Sequence, residues 1–225
     1  MIGIICAMEE ELQAVLTHVK EEKQVRTGTT RLHYGTLNGQ AIVACLSGVG
    51  KVNAAMAATI VCMEPAVDLV MNVGVAGGLR SGQHVCDLVI SDALVQADFD
   101  SSPLDGEEGI GLRFPVRPEL VRKASAIARQ LDIPYHVGTI ATQDLFMARP
   151  EDFAKLMDRF PQSACAEMEG GAIAQVAIAF EKPVLVLRTL SDVVHHADNP
   201  MEFSKFAARA SRQAADVIAA WCAQA

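Results

Sequence analysis

The sequence has 225 residues, 51% of them hydrophobic and 20% charged, which is the composition of a globular protein rather than a disordered or collagen-like one. Its length predicts one domain spanning residues 1–225, and its formal net charge of -8 opposes a general role on nucleic acid or on an anionic membrane, since both require a basic surface. We therefore expect a small-molecule partner.

Neither the N-terminus nor any later segment predicts export or a membrane span. Residues 1–8 (MIGIICAM) lack the basic start of a signal peptide and lead directly into three glutamates, and no later stretch holds eighteen uncharged apolar residues. The six cysteines are scattered without a Cys-x-x-Cys pair, which favours reduced, buried thiols over a zinc site. These features predict a cytoplasmic protein without a metal site.

Apolar runs and helical periods alternate along the chain. Strands buried on both faces are predicted at residues 2–6, 41–46, 69–73, 88–90 and 184–187, and helices at 52–63, 118–131 and 203–222. This alternation predicts an α/β fold with a parallel or mixed sheet covered by helices. Residues 98–117, with two prolines and three glycines, are predicted to form a long loop, either near a site or an interface or simply tolerant of change.

Three glutamates follow the first predicted strand, and in α/β sheets ligands bind beyond the carboxyl ends of strands. Glu9, Glu10 and Glu11 lie in a first helical turn, where the helix dipole alone favours acidic residues. Successive helical residues point about 100° apart, so one glutamate is expected to face the cleft while the others meet solvent. The inward carboxylate is a candidate general base.

Two glycine-rich segments lack the spacing of nucleotide-binding loops. Residues 74–78 (GVAGG) follow a strand and predict a turn that lets backbone amides approach a ligand, but they do not match the GxGxxG of a dinucleotide site. Residues 47–52 (SGVGKV) fail as a P-loop, because Cys45 replaces the first glycine and Val52 replaces the Ser or Thr that binds magnesium. Use of a nucleoside triphosphate is not predicted.

Two further polar pairs follow apolar runs. Glu167 and Glu169 are separated by one residue, and one of these carboxylates could accept hydrogen bonds from the vicinal hydroxyls of a ribose; an ordinary helix start is the alternative. Ser191 and Asp192 follow the run 184–188. Asp192 is either a general acid or the N-cap of the next helix, and the spacing alone does not decide between them.

In this order and spacing, these segments resemble the nucleoside phosphorylase/nucleosidase superfamily, and most closely its bacterial methylthioadenosine/S-adenosylhomocysteine nucleosidases. The resemblance rests on residues 2–11 (IGIICAMEEE), 47–52, 74–78, 167–169 (EME) and 191–193 (SDV). It implies a single three-layer domain with a central mixed β-sheet flanked by helices, a homodimer, and no cofactor. It also implies hydrolysis of the N-glycosidic bond of 5′-methylthioadenosine and S-adenosylhomocysteine, which releases adenine and the thioribose product through an oxocarbenium-like transition state.

The resemblance also implies a role for individual residues. Glu11 would activate the attacking water and Asp192 would hydrogen-bond or protonate purine N7. Glu169 would hold the ribose hydroxyls beside the thioether of Met168. The segment 144–147 (DLFM) matches the base-binding loop of the family, with Phe146 stacking on adenine, or else packing as an ordinary core residue, and the backbone of Met147 reading the edge of the base. The remaining implied substrate-binding residues are Val75, Ala76, Gly77, Glu167, Ser191 and Phe203.

Several positions depart from the common pattern of the family. Val75 stands where serine is frequent, so we expect Asp192 to take its hydroxyl partner from Ser191 instead. The base loop usually reads Ser-Gly-Asp and here reads TQD at 142–144, and Ala97 replaces a frequent histidine. Residues 193–200 are unlike the common form, and their two histidines, His195 and His196, either contact a polar 5′ group or are solvated.

Three other functions fit the same sequence. A phosphorylase would need cations to hold phosphate, and Arg80 and Arg188 are the candidates, although residues 74–76 offer no cation in the glycine-rich segment. A futalosine-type nucleoside hydrolase would use the altered loops to accept a bulky 5′ group. A catalytically silent nucleoside-binding protein would not need to keep Glu11, Glu169 and Asp192 together.

Overall fold

The computed structural model describes residues 1–193 and 199–224, with side chains described for residues 1–193 and 206–224. A ten-stranded mixed sheet forms the centre. Its strands are β1 Ile2–Cys6, β2 Lys20–Thr27, β3 Thr30–Leu37, β4 Gln40–Leu46, β5 Leu69–Gly78, β6 Leu88–Asp100, β7 Ile110–Pro115, β8 Tyr135–Thr142, β9 Ser163–Glu167 and β10 Val184–Val193. The helices are α1 Glu9–Leu16, α2 Lys51–Cys62, α3 Ser102–Asp105, α4 Pro118–Gln130, α5 Pro150–Arg159, α6 Gly170–Ala179 and α7 Asn199–Cys222.

The strand order is β10-β6-β8-β9-β5-β1-β4-β3-β2, with β7 on the edge of β6. Because β10 also pairs in parallel with β5, the strands β5, β10, β6, β8 and β9 form a closed ring. Helix α2 packs against α6, and α7 packs against α1, α4 and β10. The chain is therefore an α/β domain in which helices flank a mixed sheet, as the sequence predicts.

Strand β1 has β4 on one side and β5 on the other, and β5 continues to β10, all four in parallel. Every residue of β1 and of β10 is buried, which explains why β1 and the first four residues of β10 read as apolar runs. The carboxyl ends of β1, β5 and β10 therefore meet at one edge of the sheet. This is the edge at which open α/β sheets bind ligands.

The five predicted strands are all present, but four extend beyond their predicted limits. The segment 74–78 is not a turn, because it continues β5 and pairs with residues 188–193 of β10. The long loop predicted at 98–117 is also wrong: the segment contains the end of β6, α3, a 3-10 turn at Gly106–Gly109 and β7. Its prolines misled the prediction, since Pro103 lies in the first turn of α3 and Pro115 is the last residue of β7, where a missing N–H is tolerated.

Two further expectations concern cysteines and membrane spans. All six cysteines are free thiols, and five of them are buried, as predicted from their scatter. Within the described ranges, the chain contains no helix with the length and apolar character needed to cross a membrane.

Candidate active site

One pocket opens at the carboxyl ends of β1, β5, β9 and β10. Eleven of the twelve residues expected to act on or bind the substrate line it, namely Glu11, Val75, Ala76, Gly77, Phe146, Met147, Glu167, Met168, Glu169, Ser191 and Asp192. The side chain of Phe203 lies outside the described residues, as do His195 and His196. The sequence therefore located the pocket, although the motifs that form it span the chain from residue 11 to residue 192.

Glu11 is the inward glutamate of helix α1. Its side chain is buried, whereas Glu9 and Glu10 are exposed, as helical geometry predicts. The Oε2 atom accepts hydrogen bonds from the backbone N–H groups of Ala7 and Met8 at 2.9 Å, and Oε1 accepts one from Val75 N at 3.0 Å. Burial raises the pKa of the Glu11 carboxyl, and the charge of Arg188 and these three N–H groups oppose that shift. The result is a fixed carboxylate whose proton affinity exceeds that of an exposed glutamate.

Asp192 lies in strand β10 and is not an N-cap. The register between β10 and β5 shifts between Leu190 and Asp192, so Ser191 is an extra residue in the ladder. Such a bulge redirects side chains locally, and here both Ser191 and Asp192 line the pocket. The Ser191 hydroxyl donates a hydrogen bond to Asp192 Oδ1 at 2.7 Å, which confirms the expected hydroxyl partner.

The segment that carries Glu167 and Glu169 is not extended, because β9 ends at Glu167. The chain turns after β9 and Glu169 becomes the N-cap of α6, so both carboxylates approach the guanidinium of Arg188. Glu167 accepts hydrogen bonds from Thr142 Oγ1, from Arg188 Nη2, and from the N–H groups of Glu169 and Gly170 at 3.0 and 2.7 Å. Glu169 Oε1 accepts a hydrogen bond from Gly50 N at 2.9 Å, and Oε2 lies 3.8 Å from Arg188 Nη2.

Electrostatics at this site are dominated by buried carboxylates. Burial raises the pKa of Glu169 to about 7, and the neighbouring charge of Glu167 adds to the rise. Arg188 is 1% exposed and supplies positive charge behind the pocket wall, and its Nη2 also donates to Asn72 Oδ1 at 2.5 Å. Four carboxylates therefore line the pocket against one guanidinium, which makes its interior favourable for a positive charge.

Neither candidate phosphate ligand from the sequence lines the pocket. Arg188 Nη2 donates to Glu167 and Asn72 behind the pocket wall, and Arg80 donates to the backbone carbonyls of Ser163, Val137 and Gln162. Among the residues whose side chains are described, none that lines the pocket is a lysine or an arginine. The described part of the pocket thus offers no cation for a bound phosphate.

Apolar side chains also line the pocket. Phe146 and Leu145 are 50% and 45% exposed, whereas Met147 and Phe153 are buried. The half-exposed ring of Phe146 is not that of an ordinary core residue, which was the alternative reading of the sequence. Phe153, from α5, was not expected from the sequence because its helix was not predicted.

Sequence reasoning missed the residues that support the carboxylates from behind. Asn72 interrupts the apolar run of β5 and Arg188 interrupts that of β10, and a polar residue within a doubly buried strand is the signal that could have identified both. Thr142 was noted only as a departure from the common base loop, yet its hydroxyl binds Glu167 directly.

The chain is similar to known proteins along its whole length. A family model described as the phosphorylase superfamily matches residues 1–222. The 5′-methylthioadenosine/S-adenosylhomocysteine nucleosidase of Oceanobacillus iheyensis is 34% identical over 96% of each chain. The crystal structure of the enzyme of that name from Neisseria meningitidis, in complex with methylthio-immucillin-A, matches with a TM-score of 0.93 at 31% identity, over 100% of this chain and 99% of that one. The futalosine hydrolase of Helicobacter pylori matches with a TM-score of 0.92 at 28% identity, over 100% and 97%.

Proposed function

Since the chain belongs to the phosphorylase superfamily, and within it to the 5′-methylthioadenosine/S-adenosylhomocysteine nucleosidases, we propose that its pocket hydrolyses the N-glycosidic bond of these two nucleosides. The products are adenine and the corresponding thioribose. The observation that carries this proposal is the set of four carboxylates around a pocket that holds no described lysine or arginine. Such a pocket stabilises the positive charge that develops on the ribosyl group as the bond to adenine breaks.

Glu11 is the general base of the proposed reaction. The oxygen of a water molecule attacks the C1′ carbon as the C1′–N9 bond breaks, and Glu11 accepts the proton that the water loses. The three backbone N–H bonds to Glu11 hold its carboxylate in one orientation, which lowers the entropic cost of this step. Its raised pKa supports the role, because a base with greater proton affinity removes the proton of water more readily.

Asp192 acts on the leaving group. Its carboxyl group hydrogen-bonds to or protonates purine N7, so that adenine departs as a neutral base rather than as an anion. This bond strengthens as negative charge accumulates on the purine, and it therefore stabilises the transition state more than the bound substrate. The Ser191 hydroxyl bond supports the role by fixing the orientation of the Asp192 carboxyl group.

The other pocket residues bind the two halves of the nucleoside. Glu169 accepts hydrogen bonds from the ribose hydroxyls and Met168 packs on the sugar. Phe146 stacks on adenine, and the backbone of Met147 reads the edge of the base. Val75, Ala76, Gly77, Glu167, Ser191 and Phe203 complete the substrate contacts of the proposal. The position of all but Phe203 in one pocket supports this assignment.

The decisive experiment is release of adenine from 5′-methylthioadenosine by the purified protein, with and without phosphate. We expect release at the same rate in both, with methylthioribose as the co-product. Dependence on phosphate, with methylthioribose 1-phosphate as the co-product, would make the protein a phosphorylase. Binding of the nucleoside without release of adenine would make it a silent binding protein.

A futalosine hydrolase is the second candidate, because the Helicobacter pylori enzyme of that name matches the whole fold almost as closely. The two functions differ in the 5′ group that the pocket must accept. Release of the base from futalosine, measured at the same concentration as 5′-methylthioadenosine, separates them. A kcat/KM that is at least tenfold higher for futalosine would support the second candidate.

A homodimer and a cytoplasmic location complete the proposal. On α2, Val52 is 72% exposed and Met56 is 49% exposed one turn later, and Val49 beside them is 49% exposed and lines the pocket. An exposed apolar patch of this kind is typical of a protein interface. Its continuity with the pocket supports a partner subunit beside the substrate. The free thiols support a reducing compartment.

A further inference from the structure

A closed cycle of three contacts joins Lys51, Asp98 and Asp144 beside the pocket. Asp98 Oδ1 lies 2.6 Å from Lys51 Nζ, and Asp98 Oδ2 accepts a hydrogen bond from Asp144 N at 2.9 Å. Asp144 Oδ1 accepts a hydrogen bond from Lys51 N at 2.8 Å and so closes the cycle. Lys51 lies on the first turn of α2, Asp98 lies on β6, and Asp144 is the first residue of the base-binding loop 144–147. The cycle therefore fixes this loop to the start of α2.

The turn at the start of α2 also binds the carboxylate of Glu169, which is proposed to accept hydrogen bonds from the ribose hydroxyls. Gly50 N donates to Glu169 Oε1, and Lys51 N, the next amide along the chain, donates to Asp144 Oδ1. Gly50 has a φ of 96°, and a Cβ atom at this position would lie 3.1 Å from Asp144 Oδ1, so only glycine allows this approach without strain. The two carboxylates are therefore bound by consecutive amides of one turn.

Without the Gly50 bond, Glu169 has a competing partner. Its Oε2 atom already lies 3.8 Å from the guanidinium of Arg188, which is buried behind the pocket wall. A carboxylate released from Gly50 N gains a closer ion pair by turning toward Arg188 and away from the pocket. The bond to Gly50 N thus keeps one oxygen of Glu169 in the position from which it reaches a ribose hydroxyl.

We propose that Asp144 is a positioning residue that couples the base-binding loop 144–147 to the ribose-binding carboxylate of Glu169 through the amides of Gly50 and Lys51. The inference rests on the proposed function in one respect, namely that Glu169 accepts the ribose hydroxyls. Asp144 itself does not touch the substrate in this proposal. Loss of its side chain should weaken recognition of the ribose hydroxyls more than recognition of the base.

The test compares two substrates, 5′-methylthioadenosine and its 2′-deoxy analogue, in the wild type and in Asp144→Ala. We expect kcat/KM in the variant to fall about tenfold for the ribonucleoside and no more than about threefold for the deoxy analogue, so that discrimination between them shrinks. Asp144→Asn should restore most of the activity and the discrimination, because its amide oxygen accepts the same bond from Lys51 N. Asp68→Ala is the matched control, since it removes an exposed carboxylate that binds the N-terminal amine near the start of β5.

An equal loss of kcat/KM for both substrates in Asp144→Ala would overturn the coupling, because a loosened base-binding loop affects both substrates to the same degree. Asp98→Ala removes the two contacts of the cycle that Asp98 makes with Lys51 Nζ and Asp144 N. It should also reduce the ratio of kcat/KM for the ribonucleoside to kcat/KM for the deoxy analogue. An unchanged ratio in folded Asp98→Ala would also overturn the proposal. A wild type that releases no adenine overturns the proposed function and this inference together, whereas an active wild type with unaltered ratios in the variants overturns only the inference.

Discussion

Gly74 illustrates how a single missing side chain makes room for the proposed base. A Cβ atom at this position would lie 2.4 Å from Glu11 Oε1 and 2.8 Å from Glu11 Cδ, so Gly74→Ala must displace the carboxylate from Val75 N. We expect kcat to fall about 100-fold, since a displacement of about 1 Å at a catalytic group has effects of this size. The measurement is adenine release at a temperature at which the variant is folded.

Gly3→Ala is the control for Gly74→Ala. Its Cβ atom would lie 2.4 Å from Val61 Cγ1, so it creates an overlap of equal severity in the core, away from Glu11. We expect this variant to lose thermal stability while the folded fraction keeps most of its kcat. Equal losses of kcat in the two variants would show that Gly74 serves packing rather than the placement of Glu11.

Asp192→Asn tests the proposed role of the carboxyl group in leaving-group activation. Asparagine has the same shape and can still accept a hydrogen bond from Ser191 Oγ, but it cannot deliver a proton to purine N7. We expect kcat to fall by about 10²- to 10⁴-fold and the Kd of the nucleoside to change only a few-fold. Single-turnover adenine release and calorimetric binding measure the two quantities, and a kcat near that of the wild type would remove Asp192 from the acid role.

The raised pKa of Glu169 predicts how stability depends on pH. A carboxyl group whose pKa rises from 4.5 to about 7 on folding binds its proton more tightly in the folded state. Its contribution to the free energy of unfolding is therefore fully present below pH 4.5 and is lost as the pH rises to about 7. Glu169→Gln removes this loss and should gain stability relative to the wild type between pH 5 and 8, on the order of 2–3 kcal/mol.

Denaturant unfolding of the wild type and of Glu169→Gln at pH 5 and at pH 8 measures the difference in their free energies of unfolding. Glu10→Gln is the control, because Glu10 is exposed and its substitution should leave the difference between the two pH values unchanged. A constant offset between Glu169→Gln and the wild type across the range would contradict a raised pKa at Glu169.

At the scale of elements, β10 places an arginine where three carboxylates need a counter-ion. Arg188 is 1% exposed, and the charges of Glu167, Glu169 and Glu11 all raise its pKa although burial opposes them. Arg188→Met leaves these carboxylates buried without a cation, and we expect it to lower the free energy of unfolding by about 3–5 kcal/mol at pH 8. The loss should be smaller at pH 5, where the carboxylates can bind protons instead.

Arg80→Met is the matched control for Arg188→Met, because the hydrogen bonds of Arg80 go to backbone carbonyls rather than to carboxylates. Its effect on stability should be smaller and nearly independent of pH. If Arg188→Met destabilised the protein equally at pH 5 and pH 8, its role would be packing rather than charge compensation.

Strands β5 and β10 show how far local sequence predicts the fold. Their first halves read as apolar runs because both faces are buried. The glycine-rich second half of β5 was predicted to be a turn, and the polar second half of β10 was placed after the strand. Those halves are strands because each pairs with the other, and pairing between distant segments leaves no local periodicity. The hairpin of β2 and β3 was not predicted for the same reason. Strand β2 is exposed throughout and has no apolar face.

The residues that line the pocket were easier to predict than the limits of the strands, because they lie at or just beyond the carboxyl ends of strands. The position of Glu11 after β1 and the hydroxyl partner of Asp192 were both readable from neighbouring residues. The Asn72–Arg188–Glu167 network was not, since it joins three strands whose order in the sheet is not written in any one segment. What the sequence lacks is the register that brings those strands together.

At the scale of the whole molecule, the apolar face of α2 predicts an assembly that activity depends on. The double substitution Val52→Glu and Met56→Glu places two charges on this face without altering buried residues, since both side chains are exposed in the single chain. We expect the wild type to sediment as a dimer and the variant as a monomer, because two buried charges across a symmetric interface are repeated on both subunits.

The monomeric variant should also lose most of its activity, although neither substituted side chain lines the pocket. Val49, in the turn before α2, does line it and is 49% exposed, so the partner subunit is expected to cover this side of the substrate. Val25→Glu, on the exposed strand β2, is the control that adds a charge away from α2 and should leave both dimer and activity intact. A monomeric variant with full activity would show that each chain closes its own pocket, because an interface that completes the site cannot be removed without cost to catalysis.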